Sequence, residues 1–163
     1  MVTLSWDDIA SAAQRLAISL QLSATRHVPD WKVGTIILGR GGLATATMLS
    51  RFYPQLFTRA TYLPCAKVHR LTVPQVRVAL RPLWGSDSVL LLDEIYDSGA
   101  TLQAVEQLTL RCMPGDPAGV WKAVLVLKHA KDRSRVAHYG LQLDTTEWIH
   151  FPWEVETHGR SDS

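Results

Sequence analysis

Val89-Leu90-Leu91-Leu92-Asp93-Glu94-Ile95-Tyr96-Asp97-Ser98-Gly99-Ala100-Thr101-Leu102 decides the fold of this 163-residue chain. The apolar run 89–92 predicts a strand buried on both faces. Leu102, Val105, Leu108 and Leu110 predict a helix from about Thr101 to Cys112. Between them lie two acids, two spacers, a third acid and then Ser98-Gly99-Ala100-Thr101. Gly99 permits a tight turn in which successive backbone N–H groups converge on an anion. The helix N-terminus adds its positive dipole end, and Ser98 and Thr101 add hydroxyls, which together make a phosphate cradle. The Lys of a Walker A loop is missing, which argues against a nucleoside triphosphatase. Asp93 and Glu94 would repel a phosphate unless they grip sugar hydroxyls or face Mg²⁺. The alternative is an acidic turn that only stabilises its helix.

Outward from this stretch, strands and helices alternate. Residues 5–22 predict an amphipathic helix. Ser5 caps it, Asp8 completes the capping box, and Ile9, Ala12, Ala13, Leu16 and Leu20 recur at helical spacing. Residues 34–38 predict a buried strand running into Gly39-Arg40-Gly41-Gly42, followed by helical character over 43–52. The alternation of Val76, Val78 and Leu80 predicts a half-buried strand over 75–80. A loop at 114–117 precedes a third buried strand at 120–127 and a basic, polar run at 128–135. Residues 136–154 hold short strand-like pieces, and 157–163 read as a disordered tail. No internal repeat, low-complexity tract or linker interrupts the chain. The expected fold class is α/β: a single domain with a mostly parallel twisted sheet flanked by helices.

Composition narrows the function. A 47% hydrophobic, 20% charged chain holds enough apolar material for a core, which excludes a wholly disordered protein. A net charge of +2 argues against nonspecific coating of nucleic acid. The sequence shows no basic segment leading into an apolar run at its start. No apolar stretch approaches the roughly 20 residues of a membrane-spanning helix. Cys65 and Cys112 stand far apart and read as reduced thiols of a soluble, cytoplasmic protein. The small total hides a division: no Asp or Glu occurs between Asp30 and Asp87, whereas Asp93, Glu94 and Asp97 crowd together just beyond. A basic stretch thus precedes an acidic strand end.

Four apolar residues, two acids, two variable positions and Asp-Ser-Gly-Ala-Thr resemble the phosphoribosyl-pyrophosphate (PRPP) motif of the type I phosphoribosyltransferases. Ser98 stands where that motif usually has Thr and keeps the hydroxyl. Gly39-Arg40-Gly41-Gly42-Leu43 is similar to the family's pyrophosphate loop. Trp148-Ile149-His150-Phe151-Pro152-Trp153-Glu154 resembles the C-terminal segment of the bacterial xanthine-guanine enzymes. Lys128 falls where those enzymes read the base, and Ser5-Trp6-Asp7 and Trp31-Lys32-Val33-Gly34 also have counterparts. The resemblance spans roughly residues 2 to 155.

The resemblance implies a type I phosphoribosyltransferase domain over 1–156, with a mobile lid at about 61–76 and a small C-terminal, base-binding hood at about 128–155. It implies transfer of the 5-phosphoribosyl group from PRPP to guanine, xanthine or hypoxanthine, with release of pyrophosphate and with Mg²⁺ as cofactor. Gly39, Arg40 and Gly41 would hold the pyrophosphate. Asp97, Ser98, Gly99, Ala100 and Thr101 would hold the 5′-phosphate. Asp93 and Glu94 would take the ribose hydroxyls, with Asp93 toward the metal, and Asp97 would manage the purine N7 proton as the catalytic group. Lys128, Trp148 and Ile149 would bind the base; a solvated Lys128 and a core Trp148 are the alternatives. His150 receives no role, and Trp153 is expected to pack. A homodimer or homotetramer is expected, with neither membrane nor nucleic acid as partner. The family's lid carries a Ser-Tyr or Ser-Thr pair that is not found over 61–76, where Lys67, His69 and Arg70 offer anion-binding groups instead. A lid without catalytic function would favour a non-catalytic PRPP- or nucleotide-sensing domain of the same fold.

Overall fold

A computed structural model of the chain describes residues 1–24, 32–64, 72–115 and 117–154. In chain order the elements are β1 (Val2–Thr3), α1 (Trp6–Ala24), β2 (Val33–Leu38), α2 (Gly39–Ser50), β3 (Ala60–Leu63) and α3 (Val73–Leu80). They continue with β4 (Ser88–Tyr96), α4 (Ala100–Cys112), β5 (Val120–Leu127), β6 (His138–Gln142) and β7 (Ile149–His150). Five strands form one sheet in the order β3-β2-β4-β5-β6, with every neighbouring pair parallel. This is the expected α/β architecture.

The strand β4 explains the layering. Side chains alternate across a strand, so Val89 and Leu91 pack toward Val76 and Leu80 of α3 and Leu102 and Val105 of α4. Leu90 and Leu92 face Leu16 and Leu20 of α1 and Ala46 and Leu49 of α2. Each such fully buried leucine contributes about 1.5–3 kcal/mol by leaving water. The strand order reverses between β2 and β4, which lie side by side although β3 separates them in the chain. A crevice opens at the carboxyl ends of such a pair.

The capping box of α1 is present: the Ser5 N–H donates to Asp8 Oδ2 at 2.9 Å and the Asp8 N–H to Ser5 Oγ at 3.1 Å. Three local expectations require correction. Residues 75–80 are helix, not strand, because Pro74 occupies the first turn and the Thr72 N–H donates to Gln75 Oε1 at 2.9 Å. Val76 and Leu80, one turn apart, are buried while Val78 faces out at 59% exposure. The helix expected over 43–52 begins earlier, at Gly39, and draws the glycines into its first turn. The strand expected to stop at Leu92 runs on to Tyr96, since Asp93, Ile95 and Tyr96 stay in register with Val124, Val126 and Leu127.

A second, two-stranded parallel sheet pairs Val2 with Ile149 and Thr3 with His150. The C-terminal segment expected to form the hood therefore pairs with the N-terminal strand. Ile9, Leu125, Ile149 and Phe151 form its apolar underside. The stretch expected to form a lid begins in β3 and ends in α3. Cys65, Lys67, His69 and Arg70 lie outside the described residues, as do Trp31 and the 157–163 tail. No helix among the described residues is long and apolar enough to cross a membrane.

Candidate active site

Both motifs open into the crevice between β2 and β4. Gly39, Arg40 and Gly41 line one side of a pocket of about 320 Å³, and Asp93, Glu94, Asp97, Ser98, Gly99, Ala100 and Thr101 line the other. Gly99 caps α4 in the left-handed region at φ +76°, and a Cβ there would run into the Tyr96 ring. Glycine at this position therefore lets the chain turn directly from strand into helix. The Ser98 hydroxyl accepts from the Ala100 N–H at 3.4 Å, and the first helical bond runs from the Gln103 N–H to the Gly99 carbonyl at 2.9 Å. The N–H groups of the first turn lack partners within the helix and lie at the pocket, where the helix dipole favours an anion.

Opposite the cradle, Gly41 lies so close to Glu94 that a Cβ would overlap the carboxylate, and a Cβ on Gly42 would lie 2.8 Å from the Leu92 carbonyl. Small residues here let the pyrophosphate-loop candidate approach the acidic strand end. Arg40 is exposed and lines both this pocket and a neighbouring one.

The two acids at the end of β4 are partly buried, each with a single hydrogen-bond donor among the described residues. Burial pushes the Asp93 carboxyl from its ordinary 3.8 up to about 7; the Glu94 N–H that it accepts at 2.8 Å opposes the rise, and the Glu94 charge adds to it. Burial also raises Glu94, opposed by the Trp153 N–H and Arg40 and reinforced by Glu154. Among the described residues neither carboxylate has an ion-pair partner. Such a pair fits hydroxyl donors or a cation. No group of three His, Cys, Asp or Glu side chains that could hold a metal is present among the described residues. Two adjacent carboxylates are oxygen donors of the kind that hold a hard divalent cation whose remaining ligands are water and phosphate oxygens.

Asp97 stands on the β5 side. Its Oδ2 accepts from Lys128 Nζ at 3.2 Å, and its Oδ1 lies 3.3 Å from His129 Nε2. Lys128 continues β5, its N–H donating to the Tyr96 carbonyl at 3.0 Å, and it is buried rather than solvated. The second pocket, about 470 Å³, is lined by Arg40, Gly41, Glu94, Trp148, His150, Trp153 and Glu154. Trp148 is 65% exposed, so it is not a core residue, whereas the Ile149 side chain is buried beneath the hood. Trp153 packs as expected, stacked on Phe151 with ring centroids 4.8 Å apart and tilted against Trp6 at 6.1 Å.

Four residues at the site escaped the sequence reading. Trp153 also donates its indole N–H to Glu94 Oε2 at 3.2 Å. His129 touches Asp97, and His150 lines the second pocket with its Nδ1 3.5 Å from Glu154 Oε2. The available signal was that His150, Trp153 and Glu154 stand inside the 148–154 motif and that His129 directly follows Lys128.

The fold is that of solved phosphoribosyltransferase structures, and the chain is homologous to purine phosphoribosyltransferases. It is 26% identical to the xanthine-guanine phosphoribosyltransferase of Gluconobacter oxydans, over 94% of this chain and 84% of that protein. Its fold matches the purine phosphoribosyltransferase of Pyrococcus horikoshii with a TM-score of 0.64 at 21% identity, over 94% and 93% of the two chains. It also matches a Neisseria gonorrhoeae protein solved with bound ppGpp, with a TM-score of 0.63 at 20% identity over 96% and 90%. No family model matches the sequence.

Proposed function

We propose that this protein is a purine-salvage phosphoribosyltransferase of the cytoplasm, transferring the 5-phosphoribosyl group from PRPP to a 6-oxopurine and releasing pyrophosphate. The observation that carries this reading is the convergence of the Gly39-Arg40-Gly41 turn and the 93–101 segment on one pocket at the strand-order reversal. A purine ring nitrogen bonds to the anomeric carbon as the carbon–oxygen bond to diphosphate breaks, and the electron pair leaves with the diphosphate. Arg40 and the Gly39 and Gly41 backbone stabilise the charge that grows there. The α4 N-terminus with Ser98 and Thr101 holds the 5′-phosphate, while Asp93 and Glu94 orient the ribose diol. Asp97 accepts the base proton.

Lys128 donates to the purine O6 and Trp148 stacks on the ring. The Val2 and Leu4 N–H groups donate to the carbonyls of Trp148 and His150 at 2.9 and 3.0 Å. Backbone alternation therefore turns the Ile149 carbonyl the other way, toward a 2-substituent. Mg²⁺ would sit by Asp93 and, when bound, neutralises the diphosphate. The test supplies Mg²⁺, PRPP and a panel of guanine, xanthine, hypoxanthine and adenine, and follows pyrophosphate release. Release with at least one 6-oxopurine is expected.

A second reading is a nucleotide-sensing domain of the same fold. The absence of a Ser-Tyr or Ser-Thr pair over 61–76 and the ppGpp-bound neighbour favour it. Tight PRPP or ppGpp binding with no release for any base would decide for the sensor.

A further inference from the structure

We propose that His129 is a positioning residue that anchors Asp97 while Lys128 is recruited by the base, an inference that rests on the transferase reading above. The two oxygens of Asp97 are held by consecutive residues: Lys128 Nζ at 3.2 Å on Oδ2 and His129 Nε2 at 3.3 Å on Oδ1. The Asp97 side chain is 51% exposed, so nothing but these two groups fixes its rotamer among the described residues. Lys128 is needed twice. Its ammonium pairs with Asp97, and the same ammonium must reach the purine O6 when the base arrives. A carboxylate with that lysine as its sole anchor would swing into solvent at the moment it must accept a proton. The imidazole removes this conflict. It donates through Nε2 in the Nε2–H neutral tautomer and in the cation alike, and its side chain, 21% exposed, is held at the β5 terminus. Oδ1 thus stays fixed, and Oδ2 is freed for the base proton once Lys128 turns away.

Kinetics of His129→Ala and His129→Gln test this. The alanine variant is expected to lose about tenfold or more in kcat at saturating substrates, with the KM for PRPP within twofold of wild type and an unchanged melting temperature. Gln, which retains a side-chain N–H, should recover at least a third of the wild-type kcat. An unaltered kcat in His129→Ala, or equal losses in both variants, overturns the proposal. Wild-type protein that turns over no base overturns the transferase reading instead, which separates the two failures.

Discussion

The indole Nε1 of Trp153 donates to Glu94 Oε2 at 3.2 Å, tying the hood to the carboxylate that rests against Gly41. A single hydrogen bond to a charged group in partial burial is worth about 1.5–3 kcal/mol. Trp153→Phe keeps the ring that stacks on Phe151 and deletes only the donor. PRPP binding, read by calorimetry, should weaken by about tenfold while the fold persists. Unchanged affinity would show that Glu94 needs no such restraint.

Asp97 faces the pocket from between two basic side chains. Asp97→Asn preserves shape and removes the proton acceptor, so kcat should fall by about 10²–10⁴-fold. PRPP affinity should stay within a few-fold, because the backbone cradle is intact. Near-normal turnover would remove Asp97 from the chemistry.

Asp93 gives a pH signature. With its carboxyl raised to about 7 from 3.8, the ligand-free fold keeps a proton that the unfolded chain releases near pH 4. The native state therefore binds more protons across that interval. The contribution to stability is full below about pH 4 and is lost as pH rises through about 7. Asp93→Asn should melt about 4 °C above wild type at pH 8 and show a flatter decline between pH 5 and 8. The same variant should bind PRPP more weakly, because a neutral amide replaces the ionised group. Parallel melting curves for the two proteins across this range would contradict the burial argument.

Trp148 is exposed at the mouth of the second pocket. Guanine or xanthine should quench tryptophan fluorescence, and Trp148→Ala should abolish the change. A quench of equal depth in the variant would mean that another of the six tryptophans reports the base.

The parts legible in the sequence were those whose physics is local. Val89 to Leu92 could only be a doubly covered strand, and the segment from Asp97 to Thr101 could only turn into a helix N-terminus. The misread segment 75–80 carried two periods at once. Val76, Val78 and Leu80 fit a strand, Val76 and Leu80 also fit a helix, and the Thr72–Gln75 cap outweighed the alternation. The end of β4 is not legible in the sequence because Asp93 and Glu94 carry charge where a buried strand ordinarily stops. A parallel ladder with β5 holds Asp93 in the strand at the cost of burying it. Trp153 on Glu94, His129 on Asp97 and Val2 on Ile149 join distant positions, and no local pattern encodes them.

The pairing of Val2 with Ile149 also carries an entropic cost. Closing a loop of nearly the whole chain costs more entropy than closing the shorter loops of the five-stranded sheet, so this ladder depends on that sheet to hold its ends together. The wall of the second pocket carried by Trp148 and His150 thus rests on the pairing with the longest loop in the fold.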